Sequence, residues 1–314
     1  MRIVMVGSGA VGGYFGAQLQ RAGHEVVFIA RGEHLRVLRE SGLTVTDQNG
    51  ATLRLQVQAS DDLTTVGPAD YVMIAVKTWQ IADVARSVPV LRHEHTRFLT
   101  LQNGVEAPDI VAEQVGRAQT LGGLVRGFFE LEAPGRVRHA GVQPTIIFGQ
   151  LDGQRTPEAE RLLRALLDAG IYSELSDDIE AALWEKFLLV TSMSGVGAVT
   201  RASIGEFRQY PATRAMLETV MAEIIAVARA RGVRLPDDTL ERTLAFIDTF
   251  PPETTTSMQR DIINGLPSEL EAQTGAVVRL GREAGVATPL NQYIYDSLIL
   301  QERRARGLER IVAR

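Results

Sequence analysis

At 314 residues, with 45% hydrophobic residues and a formal net charge of −5, the chain is long enough for about two domains with sizeable cores. The mildly acidic balance argues against general nucleic-acid binding, and no apolar run approaches the roughly twenty residues of a membrane span. There is no cysteine to supply disulfides or thiol chemistry, and the five histidines form no metal cluster by spacing, since His93 and His95 read as solvated loop residues.

Met1 to Val6 is a short apolar run that predicts a core strand rather than a signal peptide, which fits a cytoplasmic setting. Gly7, Gly9 and Gly12 follow at the spacing G-x-G-x-x-G, and Ala10, Tyr14, Ala17 and Leu19 continue with helical spacing. In such a strand–turn–helix the first glycine permits the turn, the second lets backbone approach a pyrophosphate, and the third lets helix and strand pack closely. The free N–H groups and dipole of the helix N-terminus then favour phosphate. Gly7, Ser8, Gly9, Ala10, Val11 and Gly12 are therefore the expected cofactor-binding loop.

Glu25 to Ala30 reads as the second strand, with Gly23 as the helix stop before it. At its end, where an NAD-binding unit usually carries Asp or Glu, stands Arg31. A carboxylate repels a 2′-phosphate and a guanidinium forms charge-assisted bonds with it, so NADP(H) is expected over NAD(H). The bland alternative is an ordinary exposed arginine at a loop end.

Residues 33–41 look helical, and 43–46 and 51–57 look like strands around the turn DQNG. YVMIAV at 71–76 is a continuous apolar run, as in a strand covered on both faces, and Lys77 follows it directly. A helical segment at 81–91, a strand at 97–101 and the loop Gln102-Asn103-Gly104 repeat the pattern. Ligands of open parallel sheets bind beyond the carboxyl ends of the strands, so the glycine loop, Lys77 and Asn103 are expected to line one crevice.

Short glycine-containing runs between 122 and 149 suggest antiparallel or mixed strands extending the sheet. A helix at 156–169 and a strand at 172–175 follow. Beyond residue 176 only helical patterns remain, over 178–193, 211–231, 237–249, 268–284 and 289–310. The expected architecture is an α/β, Rossmann-type NADP-binding domain over 1–176 and an all-helical substrate domain over 177–314. The cleft between them is the expected substrate site.

These residues, taken together, resemble the ketopantoate reductases (2-dehydropantoate 2-reductases). The likeness is carried by GSGAVG at 7–12, RG at 31–32, VKTWQ at 76–80, LQNGVE at 101–106, PGRVRHAG at 134–141, ALWEKF at 182–187, TSMQRDI at 256–262, SELE at 268–271 and GVATP at 285–289. It implies a Rossmann domain followed by a helical domain, and reduction of a branched 2-oxo acid by NADPH. It also implies Lys186 as the catalytic general acid and substrate ligand, and Asn103 at the cofactor–substrate junction. Lys77 is implied to face the cofactor or reacting centre, Ser257 to bind substrate, and Glu269 to lie near the cofactor or the catalytic lysine.

Read without the resemblance, each of these residues has a plainer role. Lys186 borders the apolar face of Leu183, Phe187 and Val190, where a lysine buries its stem and keeps its head in water. Asn103 suits turn geometry beside Gly104, Lys77 an exposed strand end, Ser257 a helix cap and Glu269 the first turn of a helix. The chain also departs from the family pattern. Where the family carries asparagines that contact substrate, this sequence has Val190, Ser194 and Ile204. Ser194 keeps a hydroxyl there, but the pocket becomes more apolar and specificity for another 2-oxo acid is a live alternative. A nucleotide-sensing protein without turnover is the alternative from another class. The expected partner is a small-molecule 2-oxo acid, with neither nucleic acid nor membrane. Long apolar helices allow a homodimer interface, although burial within one chain accounts for them equally well. The basic segment 301–314 reads as a solvated helix end.

Overall fold

The computed structural model describes residues 1–308; the remainder of the basic segment 301–314 lies outside the described residues, and the helix expected over 289–310 ends already at Ala305. The chain divides into two compact units. The first is Met1–Gln102 with Glu106–Ala182, and the second is Asn103–Val105 with the chain from Leu183 onward.

The first unit holds β1 (Arg2–Val6), α1 (Ala10–Arg21), β2 (Glu25–Ile29), α2 (Gly32–Ser41), β3 (Leu43–Thr46), β4 (Thr52–Leu55), β5 (Gln58–Ser60) and β6 (Tyr71–Ile74). It continues with α3 (Ile81–Ser87), β7 (Arg97–Thr100), α4 (Ala107–Val115), β8 (Thr120–Ala133), β9 (Arg136–Gln150), α5 (Pro157–Asp168) and β10 (Tyr172–Leu175). The strands form one ten-stranded sheet in the order β4-β3-β9-β8-β7-β6-β1-β2-β5, with β10 beside β9. From β5 through β2, β1, β6 and β7 to β8 the pairing is parallel. Alternate side chains of its central strands enter separate cores: Ile3 and Met5 pack with Phe15 and Phe28, whereas Val4 and Val6 pack with Val72 and Ile74. Burial on both faces is why these strands read as unbroken apolar runs.

From β1 the chain forms β2 on one side and, after the β3–β4 hairpin at the far edge, adds β5 beside β2, then crosses to β6, β7 and β8 on the other side of β1. This reversal puts a crevice at the carboxyl ends of β1 and β6, where the glycine loop begins. The glycine-containing runs of 122–149 are two long antiparallel strands, β8 and β9, with register shifts between Arg126 and Phe128 and between Leu131 and Ala133. DQNG closes the β3–β4 hairpin through Asp47 Oδ1, which accepts the N–H groups of Asn49 and Ala51. The short edge strand β5 carries no alternating pattern that would have revealed it.

The second unit is helical: most of α6 (Ile179–Thr200), then α7 (Ile204–Gln209), α8 (Pro211–Ala230), α9 (Thr239–Asp248), α10 (Ser257–Ile263), α11 (Thr274–Glu283) and α12 (Pro289–Ala305). The first turn of α6 belongs to the sheet unit, where Ile179 lies against Gly122 and Gly149. The helix outlasts the expected end at 193 because residues 191–198 are buried on every side, and packing overrides the low helix propensity of two glycines. The helix expected over 268–284 begins only at Thr274. Residues 268–273 instead turn back on themselves, with the N–H groups of Ala272 and Gln273 donating to the Glu269 carbonyl. Glu269 is therefore a turn residue, not a first-turn helix residue. The short helices α7 and α10 are too brief to show a period in the sequence, and of the two only α10 has a hint there, Ser257 as a helix cap. Among the described residues no helix is long and apolar enough to cross a membrane.

Candidate active site

The glycine loop follows β1 directly. Gly7 takes φ +94°, and a Cβ there would stand 2.6 Å from the Val76 nitrogen, so neither the turn nor its packing admits a side chain. A Cβ on Gly12 would lie 2.1 Å from the Gly7 carbonyl oxygen, which accounts for the close seating of α1. Gly9 differs. Nothing lies within 4 Å of where its Cβ would be, and it caps α1 without any side-chain hydrogen bond. Open space beside bare backbone and an uncapped helix N-terminus fit the pyrophosphate of a dinucleotide.

Ser8 is buried, and both its N–H and its hydroxyl donate to the Ile29 carbonyl, at 3.1 and 3.0 Å. Its polar hydrogens thus shape the loop. Its carbonyl accepts from His34 Nε2 at 2.8 Å, while His34 Nδ1 accepts the Gly135 N–H at 3.0 Å. That second bond fixes the tautomer, since an imidazole nitrogen that accepts leaves the other to carry the proton. His34 therefore ties the glycine loop to the β8–β9 turn, a role no sequence spacing signals. Ala10 and Val11 open α1 half-buried, and Arg31 is exposed at the entry to α2. Lys77 is exposed beyond β6, its Nζ 5.8 Å from the ring centroid of Trp79.

In the second unit three separated residues meet. Lys186 Nζ donates to Asn103 Oδ1 at 2.8 Å, and Asn103 Nδ2 donates to Glu269 Oε2 at 2.8 Å. The amide can face only one way between an ammonium and a carboxylate, so its orientation is set by its neighbours. Lys186 comes from α6, Glu269 from the 268–273 turn, and Asn103 from the loop after β7. Gln102, buried, anchors the start of that loop by donating to the carbonyls of Ile74 and Val76 at 2.9 and 3.2 Å. Gly104 takes φ +96°, and a Cβ there would come within 3.1 Å of the Ala272 carbonyl oxygen, so the loop can lie against the Glu269 turn. Glu269 is 8% exposed, and Gln273 Nε2 stands 3.5 Å from its Oε2.

The other candidates are placed differently. Ser194 lies two turns beyond Lys186, fully buried, its hydroxyl without a partner among the described residues. Ser257 is exposed at the first position of α10, and the helix cap is its neighbour Thr256, whose hydroxyl accepts the Gln259 N–H. Of the two apolar replacements, Val190 is half-buried one turn past Lys186, and Ile204 sits in the core at the start of α7.

Two family models match in chain order: Ketopantoate reductase PanE/ApbA over residues 3–153 and Ketopantoate reductase PanE/ApbA C terminal over residues 178–302. The chain belongs to the ketopantoate reductase family. It is thus a member of an oxidoreductase family. The 2-dehydropantoate 2-reductase of Mesorhizobium japonicum is 28% identical over 310 residues, covering 92% of this chain and 94% of the relative. A PanE/ApbA family ketopantoate reductase from Ralstonia eutropha JMP134 superposes with a TM-score of 0.88 at 32% identity, over 98% of this chain and 100% of that one. D-mandelate dehydrogenase, solved with NADH and anilino(oxo)acetate, has the same fold, with a TM-score of 0.88 at 24% identity over 98% of this chain and 99% of that one.

Proposed function

We propose that the protein is an NADPH-dependent reductase of a 2-oxo acid, with 2-dehydropantoate as substrate and (R)-pantoate as product, a step toward pantothenate and coenzyme A. The observation that carries this is the continuous hydrogen-bonded chain Lys186–Asn103–Glu269. A bound nicotinamide dinucleotide supplies the hydride. Residues of the Gly7–Gly12 loop and Lys77 hold that cofactor, and Arg31 selects the phosphorylated form.

As the substrate ketone becomes an alkoxide, negative charge develops on its oxygen. The Lys186 ammonium stabilises that charge and donates the proton that completes the alcohol. Asn103 holds the ammonium in place through its carbonyl oxygen, and Glu269 fixes Asn103 from the other side. Ser257 and Ser194 supply hydroxyls for the substrate's polar groups.

Lys186→Ala is expected to lower kcat by about 10²–10⁴-fold in an NADPH-oxidation assay with ketopantoate, leaving NADPH affinity unchanged. Unaltered turnover in the variant would remove Lys186 from the chemistry. A folded, NADPH-binding wild type that leaves ketopantoate untouched would redirect the assignment. Val190 and Ile204, in place of amides, favour a second reading, in which the substrate is a different and more apolar 2-oxo acid. A panel of 2-oxo acids decides between them by kcat/KM.

A further inference from the structure

We propose that the last turn of α12 is the positioning device for Glu269, acting through Ser268, which Glu302 and Arg306 grip together; this rests on the reading of Lys186, Asn103 and Glu269 as the reacting centre. Ser268 and Glu302 are both buried, at 0% and 2% exposure. The Glu302 carboxylate accepts the Ser268 N–H at 3.0 Å and also its hydroxyl. Arg306, which caps the end of α12 one turn further along, donates through Nε to that same carboxylate and through Nη2 to the Ser268 carbonyl at 2.7 Å. The N–H, hydroxyl and carbonyl of a single residue are thus all held by one helical turn. The Ser268 hydroxyl oxygen also accepts the Leu270 N–H at 3.2 Å, which carries the grip across Glu269.

The next residue is the one that meets Asn103. With Ser268 immobile on one side and the Ala272 and Gln273 N–H groups bound to the Glu269 carbonyl on the other, little freedom remains in the backbone that carries the carboxylate. A buried ion pair is a poor means of adding stability, since apolar side chains of similar volume often serve as well. What it does supply is direction. The bonds converge on three atoms of one residue, whereas a purely apolar contact would allow the turn to slide. An error of about 1 Å in a site can cost roughly a hundredfold in rate, so this directional hold bears on catalysis and not only on folding.

Glu302→Gln preserves volume but removes the charge, one acceptor and the Arg306 pair. It is expected to lower kcat at least about tenfold while leaving the NADPH Kd within about twofold, because the glycine loop is not involved. Amide hydrogen exchange at Ala272 and Gln273 is expected to accelerate. In a Glu269→Gln background the same substitution is expected to change kcat by less than about twofold, since its effect passes through Glu269. Equal losses in both backgrounds would mark Glu302 as a general structural residue and overturn the assignment, as would wild-type kcat in a folded Glu302→Gln protein. Should that variant not fold, Ser268→Ala, which removes only the hydroxyl, is expected to show a smaller loss of kcat that likewise vanishes in the Glu269→Gln background. An undiminished kcat there overturns it. Wild-type turnover by Lys186→Ala would instead defeat the reading of the reacting centre, and the exchange measurement would still report whether α12 holds the turn.

Discussion

The Arg31 guanidinium is exposed at the end of β2 and belongs to no ion pair among the described residues, so none of their carboxylates competes with a ligand for it. A charge-assisted hydrogen bond is worth about 1.5–3 kcal/mol, roughly ten- to a hundredfold in binding. Arg31→Glu is accordingly expected to shift the ratio of kcat/KM for NADPH over NADH downward by about that factor, read from initial rates with each cofactor. An unchanged ratio would mean that Arg31 plays no part in cofactor choice. The glycine loop was legible at this scale because one local motif carries its whole physical logic. The residues of the second unit were not. Lys186 and Asn103 are 83 positions apart, Asn103 and Glu269 are 166 apart, and no local period connects them. Taken singly, each had a plainer explanation, and only the family resemblance singled them out. Glu302 and His34 carry no sequence signal at all, and Ser268 none beyond its place in SELE, since their roles arise from contacts between distant elements.

Among the elements, α12 is tied at its beginning as well as at its end. The buried carboxylate of Glu223, on α8, accepts the N–H groups of Leu290 and Asn291, each at 2.9 Å, and Asn291 Nδ2 at 2.7 Å. The two backbone N–H groups are first-turn donors of α12 without partners in their own helix, and a carboxylate is well suited to the positive end of the helix dipole. Glu223→Ala leaves them unsatisfied and is expected to cost about 2–3 kcal/mol, measured by urea unfolding. A loss below about 0.5 kcal/mol would show that water replaces the carboxylate fully. Long elements were readable from the sequence, because a buried parallel strand or a four-turn helix repeats its pattern often enough to be seen. The 268–273 turn reads as helix in the sequence because the apolar spacing of α11 can be extended backward through it. What breaks the helix there is the polar bonding around Ser268 and Glu269, which composition does not reveal.

For the molecule as a whole, a ligand that binds only the folded state adds stability by mass action. NADPH at about a hundred times its Kd is expected to contribute about 2.7 kcal/mol and to raise the calorimetric transition, with NADH at the same concentration raising it less. Equal shifts would contradict the preference assigned to Arg31. The division into a sheet unit and a helical unit was legible in outline from the change of pattern after residue 176. The assignment of Asn103–Val105 to the helical unit was not, because the segment is flanked in sequence by the sheet unit on both sides.

That arrangement has a consequence for the order in which the chain is made. Domains tend to form as they leave the ribosome, N-terminal part first. All the strands of the sheet have been synthesised once β10 is out at Leu175, and the sheet from which the loop Gly7–Gly12 emerges is then complete. Glu269 must wait until Glu302 and Arg306 have been added, long after β10. A nascent chain, or one shortened within α12, would keep the nucleotide loop but lack the grip on its carboxylate, so the competence to bind cofactor would arrive well before the competence to reduce anything with it.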